Sequence, residues 1–177
     1  MGKIPFSPEQ GAALEFALMR VEEDSGFWPT QKSFELVHSI EPSFAAELII
    51  LRKNDEGENE ILLTIYHNRK AHYLDFEGKW HAPGGWVKCG DEDFNDACER
   101  IAERELTCNV NFIRKLGDYW WKPEEHPYGR PLSLLMLCEV EGAVDIHGEC
   151  KFFPVKNLPE NTIEVHRKFI EEFITIR

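Results

Sequence analysis

The sequence predicts an α/β domain in which a mixed central sheet lies between helices. Apolar runs of strand length recur through the middle of the chain, an amphipathic helix interrupts them, and a second amphipathic helix follows the last one. Hydrophobic residues make up 42% of the 177 residues, which suits one domain with a proper core. The apolar runs are typical of a sheet that is covered on both faces.

The first half of the chain begins with helical periodicity and continues into strands. Ser7 is a suitable N-cap and Pro8 a suitable first residue for a helix over EQGAALEFALMRVEED. The next segment, KSFELVHSI, fits either a short helix or a strand. Strands are then predicted for FAAELIILRK, ILLTIYHNR and KWHAPGGWV, the first two joined by the polar turn NDEGENE and the third ending at a Gly-Gly turn.

A carboxylate-rich helix, DEDFNDACERIAEREL, comes next. Asp91 or Asp93 can cap its start, and the face with Phe94, Ala97 and Ile101 should pack on the sheet. The remaining predicted elements are the strands VNFIRKLGDYWW, LSLLMLCEVEG and CKFFPV and the C-terminal helix NTIEVHRKFIEEFITI.

These elements divide the chain into an N-terminal helical extension, residues 1–43, and an α/β domain, residues 44–177. The formal net charge of −12 argues against a nucleic-acid partner, because proteins that bind the phosphate backbone carry clustered lysine and arginine. No apolar run approaches the length of a membrane helix, and the five cysteines form no C-x-x-C pair, so we expect a reduced, cytoplasmic protein with no membrane partner. The sequence leaves the oligomeric state open, a homodimer included.

The transition from Pro83-Gly84-Gly85 into the acidic helix indicates a metal site. A hard divalent ion prefers oxygen ligands, and glycine carbonyls with glutamates on the following helix would supply them. Glycines also permit positive backbone dihedral angles and the close approach of a ligand. The alternative is that this helix simply presents a solvated acidic face.

The same stretch resembles the signature of the Nudix hydrolase superfamily. That signature is a Gly, five residues, a Glu, seven residues, Arg-Glu, an aliphatic residue, one residue, Glu-Glu, one residue and a Gly. Gly85 stands at the first Gly, and Glu92 stands at the first Glu with six residues between them instead of five. Arg100 follows Glu92 by the required seven. The later Glu, Glu-Glu and Gly positions of the signature fall on Ile101, Arg104, Glu105 and Thr107.

With two of the signature glutamates replaced, the segment ERIAEREL resembles the pattern of the GDP-mannose mannosyl hydrolase branch of the superfamily, which tolerates similar losses. The resemblance spans roughly residues 44–175 and implies a Nudix-like α/β/α sandwich that uses Mg²⁺ (or Mn²⁺). It implies a nucleoside diphosphate derivative as substrate, a nucleotide sugar first, cleaved at the sugar carbon. Gly85 and Glu105 would hold the metal, and Glu92 would pair with Arg100 to brace the loop and helix.

The downstream segment HGECKFFPVKNLPE resembles a second family segment, which implies catalytic roles for His147 as general base and Glu149 as an assisting acid. Arg69 is a candidate for phosphate binding, because arginine offers a bidentate fork. Arg130 flanks the long loop near the predicted pocket. One of the adjacent tryptophans, for which we take Trp120, could stack on a base, because neighbours on a strand point to opposite faces.

Arg104 admits two interpretations. It is either a surface residue paired with an acid on its own helix, or a guanidinium that replaces one of the lost metal ions.

The function of the whole chain also admits two interpretations. The first is a metal-dependent hydrolase, and the second is a non-catalytic Nudix-fold protein that binds a nucleotide. The replacement of two metal-binding glutamates is the feature that favours the second.

Overall fold

In a computed structural model, the described residues are 44–67, 76–88, 90–126, 131–142 and 149–174. The N-terminal extension over residues 1–43 lies outside them, as do Arg69, Arg130 and His147. The elements are β1 (Phe44–Lys53), β2 (Asn59–Ile65), β3 (Trp80–His81), β4 (Gly84–Trp86), α1 (Phe94–Leu106), β5 (Asn109–Trp120), β6 (Leu132–Glu141), β7 (Cys150–Pro154) and α2 (Glu164–Ile174).

The strands form one mixed sheet with β1 near its centre. The strand order is β3-β2-β1-β6-β5, with β4 also paired to β1 and β7 to β2. Strand β1 runs parallel to β6, while on its other side it pairs antiparallel with β4 in its first half and with β2 in its second half. Because two short partners share one edge of β1, the sheet splits there, and this split exposes the first half of β1 to a cavity.

The predicted hairpin between the first two strands is confirmed. Residues Leu51 and Lys53 pair with Ile61 and Asn59. The Asn54 side chain accepts hydrogen bonds from two amides of the turn, and Gly57 adopts a φ of +80°. That angle favours glycine, so the local sequence selects this turn.

The predicted third strand, KWHAPGGWV, is instead two short strands that break at Ala82 and Pro83. The Gly-Gly pair is not a turn. Gly84 and Gly85 lie in β4, opposite Glu47 and Ala46 of β1, and neither has a positive φ. Pairing with β1 keeps both glycines in an extended conformation. They do not reverse the direction of the chain, and their lack of a side chain lets neighbouring side chains approach the backbone closely.

Helix α1 begins as the sequence predicts. Asp93 is the N-cap, and its carboxylate accepts hydrogen bonds from the amides of Asn95 and Asp96. The buried face consists of Ala97, Cys98, Ile101, Ala102 and Leu106. Phe94 was expected on that face but is 42% exposed, because it is the first helical residue and reaches only the edge of the sheet, where its ring contacts Phe112.

Each face of the sheet has its own core, which confirms the α/β sandwich. One core packs α1 against residues such as Leu48 and Met136. The other packs α2 against Ile49 and Leu135 through its buried face, which includes Phe169 and Ile170. Among the described residues, Cys98, Cys108, Cys138 and Cys150 are buried free thiols, and no helix is long and apolar enough to span a membrane.

Candidate active site

A cavity of about 350 Å³ opens where the sheet splits beside the C-terminal end of α1. Strands β1 and β4, the end of α1 and the segment after β5 supply its walls. Polar groups and aromatic rings both line it: Ala45, Glu47, Tyr66, His67, Phe76, His81, Gly84, Gly85, Trp86, Arg104, Glu105, Trp121, His126, Pro131, Ser133, Ile163 and His166.

The two glycines of β4 leave room for charged side chains against the backbone. A methyl group added at Gly84 would collide with the Glu47 carboxylate and would lie 3.2 Å from the Ala46 carbonyl oxygen. A methyl group at Gly85 would lie 2.6 Å from Nη2 of Arg104. Both glycines are therefore required by close packing of the site and not by backbone conformation.

The Arg104 guanidinium bridges the glycine strand and the end of the helix. Its Nη2 donates hydrogen bonds to the Gly84 carbonyl oxygen at 2.7 Å and to Glu105 Oε1 at 2.8 Å, and its Nε reaches the same carboxylate oxygen at 3.2 Å. The prediction that Arg104 pairs with an acid on its own helix is confirmed, with Glu105 as the partner. The contact with Gly84 was not expected.

Glu47 is a buried carboxyl group in the cavity wall. Burial raises its pKa to about 8, although a hydrogen bond from Ser133 opposes the shift. Ser133 Oγ donates to Glu47 Oε1 at 2.9 Å and accepts from the Trp121 indole at 2.9 Å. These two hydrogen bonds fix the position of the Glu47 carboxyl group, which is mainly protonated at neutral pH.

Two buried histidines stand behind the carboxylates. His81 Nε2 lies 3.7 Å from Glu105 Oε2, and burial lowers the pKa of His81 despite the nearby carboxylate. His166 accepts a hydrogen bond at Nδ1 from the Ala82 amide, and burial lowers its pKa well below the usual value. Both rings are therefore neutral near pH 7, and a neutral imidazole can accept a proton.

A third histidine at the cavity, His67, has a raised pKa instead of a lowered one. His67 Nδ1 lies 3.1 Å from Glu77 Oε1, and its Nε2 lies 3.2 Å from Glu149 Oε1. The hydrogen bond with Glu77 is the main cause that raises the pKa of His67, and Glu149 adds to it. The Glu149 side chain is 62% exposed and is not among the residues that line the cavity. Its contact is with His67, which does line it.

The brace beside the site differs from the expected one. Arg100 Nε and Nη2 donate to the two carboxylate oxygens of Asp91 at 2.7 Å and 2.6 Å, and Nη2 also donates to the Trp86 carbonyl at 3.0 Å. The predicted pairing of Arg100 with Glu92 is wrong. Asp91 follows Gly85 by the five residues that the family signature requires, so the extra residue lies between the acid and the arginine.

The tryptophan that lines the cavity is Trp121 and not Trp120. Trp121 is 5% exposed, while Trp120 is 57% exposed and lies on the opposite face of the strand. The Trp121 ring contacts His126 edge to face at a centroid distance of 5.0 Å, and His126 contacts Trp86 at 5.8 Å. The three rings form an aromatic part of the cavity lining.

Three oxygen-bearing groups lie near Gly84 at the cavity. The described part of the chain holds no cluster of three or more His, Cys, Asp or Glu side chains placed to bind a metal. The Gly84 carbonyl, the Glu105 carboxylate and the Glu47 carboxyl are hard oxygen donors, the type that Mg²⁺ prefers. Glu105, one of the expected ligands, and the Gly84 carbonyl both accept hydrogen bonds from Arg104, and the use of the Gly85 carbonyl as a metal ligand stays a prediction.

Glu47, His81 and Ser133 were not singled out from the sequence. Glu47 carried a signal, because it is the lone acidic residue in the otherwise apolar strand FAAELIILRK before its basic end. His81 and Ser133 carried none, because a single histidine or serine in a strand does not indicate which face it occupies.

Comparison with known proteins agrees with this fold. The NUDIX domain family model matches residues 43–173. The chain is 30% identical over 139 residues to an ADP-ribose pyrophosphatase of Methanocaldococcus jannaschii, which spans 76% of this chain and 75% of the relative. Ile101 and Arg104 remain departures from the signature within this match.

Solved structures share the fold at lower identity. The NUDIX domain of Shewanella oneidensis NrtR in complex with ADP ribose superimposes with a TM-score of 0.57 at 17% identity, covering 86% of this chain and 94% of that one. The Ap4A hydrolase of C. elegans gives a TM-score of 0.58 at 17% identity, covering 77% and 98%. The sequence match over most of the domain and the shared sandwich together show that this chain belongs to the Nudix hydrolase family.

Proposed function

We propose that the chain hydrolyses a nucleoside diphosphate linked to a second group, with ADP-ribose and nucleotide sugars as the first candidates. The observation that carries the proposal is the convergence of the Gly84 carbonyl, Glu105, Glu47 and Arg104 on one wall of an aromatic-lined cavity. ADP-ribose is itself a nucleoside diphosphate joined to a sugar, and a relative that is 30% identical is an ADP-ribose pyrophosphatase.

The cavity suits the two parts of such a substrate. The rings of Trp86, Trp121 and His126 offer apolar surface to a base or a sugar. The part of the lining around Gly84 offers the Arg104 guanidinium to the diphosphate, and His67 adds a second group with a raised pKa. Because the whole protein carries a formal net charge of −12, a local positive charge such as the Arg104 guanidinium favours the binding of an anion at the cavity.

Glu105 and the Gly84 carbonyl are the groups that would hold a single Mg²⁺ (or Mn²⁺), with Glu47 beside them. The bound ion would neutralise charge on the diphosphate. Glu47 is pressed against Gly84, so a cation there would favour its ionised form. The neutral imidazole of His81, close to Glu105, is a candidate acceptor for a proton from water, in addition to His147.

A second candidate function is a ligand-binding module without turnover. It is favoured by one observation: Arg104 already bonds both Gly84 and Glu105, the oxygens that a metal would need. The NrtR domain in the ADP-ribose complex shares the fold.

The deciding experiment is a hydrolysis assay with ADP-ribose and GDP-mannose, with and without Mg²⁺, on the wild-type chain and on Glu105→Gln. Metal-dependent release of product by the wild type and its loss in the variant would support the enzyme. Stabilisation by ADP-ribose in a thermal-shift assay, with no product under any metal, would support the binding module.

Hydrolysis in ¹⁸O-water would then locate the bond that breaks. With a nucleotide sugar such as GDP-mannose, whose diphosphate is attached at the anomeric carbon, a histidine as base and one metal ion lead us to expect attack at that sugar carbon, because the developing charge then falls on the departing diphosphate. The label should appear in the released sugar. Label in the phosphate would instead show attack at phosphorus.

A further inference from the structure

The Arg104 guanidinium lies on the oxygens that a divalent ion would use. The Gly84 carbonyl and Glu105 Oε1 both accept from Nη2, at 2.7 Å and 2.8 Å. Gly85 makes this position accessible, because any side chain there would meet the guanidinium. A positive charge is therefore already held between the carbonyl and the carboxylate.

A second cation cannot share these oxygens without repulsion. Arginine keeps its proton in proteins, so its charge cannot be removed by a change of pH. A metal ion bound to Gly84 and Glu105 would lie close to the guanidinium, and two positive charges at such short distance repel each other. A divalent ion would experience more, so Arg104 and the metal compete for the site.

Arg104 also retains binding capacity toward the cavity. Its side chain is 51% exposed and lines the cavity wall. Within the described residues its hydrogen bonds come from Nε and Nη2, and no acceptor pairs with Nη1. A phosphate oxygen is the acceptor that a guanidinium fork binds well, so a diphosphate in the cavity could bind this nitrogen directly.

We propose that Arg104 is the resident cation of the site: it competes with a divalent ion for the Gly84 carbonyl and the Glu105 carboxylate, and it binds a diphosphate directly when metal is absent. The first part concerns metal binding alone, whereas the second rests on the proposed function for the class of ligand. The two parts are tested separately.

The competition is measured by titrating Mn²⁺ into the protein and counting free ion by electron paramagnetic resonance. Arg104→Gln removes the charge, and Arg104→Glu adds a carboxylate. Lys156→Glu is the matched control for Arg104→Glu, because both lower the net charge by two, and Lys156 is 76% exposed and is not among the residues that line the cavity. Circular dichroism shows whether each variant is folded.

We expect Mn²⁺ affinity to rise about tenfold or more in Arg104→Gln, and further in Arg104→Glu, with little change in Lys156→Glu. Equal Mn²⁺ affinity in the wild type and in both Arg104 variants would overturn the competition. An increase of the same size in Lys156→Glu would also overturn it, because the effect would then reflect net charge alone.

The second part is measured by calorimetric titration of inorganic pyrophosphate and of ADP-ribose in excess EDTA. The wild type should bind pyrophosphate, Arg104→Gln should bind it about tenfold more weakly or not at all, and Arg104→Lys should be intermediate because lysine lacks the planar fork. Equal pyrophosphate binding by the wild type and Arg104→Gln would overturn this part. Failure of the proposed function would appear differently, as absence of ADP-ribose turnover with an intact pyrophosphate and Mn²⁺ response.

Discussion

Helix α1 carries two arginines one turn apart, Arg100 and Arg104, and each pairs with a carboxylate in a different environment. Arg100 binds both carboxylate oxygens of Asp91 and the Trp86 carbonyl. Its side chain is 28% exposed and that of Asp91 is 5% exposed. Arg104 shares a single oxygen of Glu105, and its side chain is 51% exposed at the cavity.

The difference shows that residue type and helical position do not decide the role of an ion pair. Both arginines bridge to the strand that contains the two glycines, at Trp86 and at Gly84. The first pair binds through both carboxylate oxygens and its acid is nearly buried, so its geometry favours stabilisation of the fold. The second pair faces a cavity with a second carboxyl group, Glu47, and a partly unused donor set, so it can exchange partners. We therefore assign structure to the first pair and ligand binding to the second.

The largest expected effect is on activity at the cavity pair. Glu105→Gln should lower kcat/KM for ADP-ribose by about a hundredfold or more, because it removes the charge that a metal ion requires. The melting temperature should change little, since the Glu105–Arg104 pair is partly exposed. Steady-state kinetics and thermal denaturation of the same preparations check both. A large loss of stability with unchanged turnover would reverse the assignment of the two pairs.

Gly84 and Gly85 should differ in how well they tolerate substitution by alanine. Gly84→Ala should destabilise the fold by about 2 kcal/mol or more, because the new atom meets the buried Glu47 carboxyl and nearby backbone. Gly85→Ala should cost less than about 1 kcal/mol, since the exposed end of Arg104 can move away. Urea denaturation measures both. Equal losses would contradict the packing described for the site.

The bracing pair should matter for stability in a way that the cavity pair does not. Arg100→Ala should lower the free energy of unfolding by about 2 kcal/mol, because it leaves the nearly buried Asp91 carboxylate without its main partner. Arg104→Ala should change it by less than about 0.5 kcal/mol. The comparison is made by chemical denaturation at neutral pH. Normal stability of the Arg100 variant with lost activity would contradict the bracing role.

The acids of the two regions should respond to pH in opposite directions. Because the folded-state pKa of Glu47 is raised from 4.5 to about 8, the folded state binds more protons than the unfolded state between these values. The Glu47 contribution to stability is therefore complete below about pH 4.5 and is lost as pH rises to 8, by up to about 1.4 kcal/mol per pH unit. Glu47→Gln should flatten this slope in denaturation series recorded in EDTA.

Asp91 provides the contrast. Burial opposes ionisation of its carboxyl, but the hydrogen bonds from Arg100 and from the Lys88 amide exceed that effect and lower its pKa below 3.8. Its contribution is present above pH 3.8 and is lost as the pH falls through the lowered value. Asp91→Asn should therefore lower the free energy of unfolding above about pH 3.8 and reduce the further loss on acidification, without altering the slope between pH 5 and 8. A change in that slope would show that the two acids are coupled.

The smallest effect is expected at the end of the same helix. Thr107 ends α1 with φ +52° and ψ +39°, in the left-handed region. A threonine is strained there, whereas glycine is not. Thr107→Gly should raise the free energy of unfolding by about 0.5–1 kcal/mol, measured by thermal denaturation, with activity unchanged. A loss of stability would show that the threonine side chain has a compensating contact.

The sequence by itself determined the architecture of this protein and the place of its site. Apolar runs of strand length identified the strands and a helical apolar period identified the helices, and Asp93 caps its helix because capping depends only on neighbouring amides. The position of Glu105 at the end of the acidic helix also followed from the chain alone. These features depend on local chemistry, so local sequence carries them.

The tertiary structure decided which side chains meet. Asp91 and not Glu92 pairs with Arg100, because the helix begins only at Phe94 and the preceding loop folds back toward the strand. Glu47 joins the site through the register of β1 with β4, and Trp121 rather than Trp120 faces the cavity through the register of β5 with β6. Strand register is set by contacts between distant segments, and a shift of one residue turns every side chain to the other face, so this information lies in the packing of the whole domain.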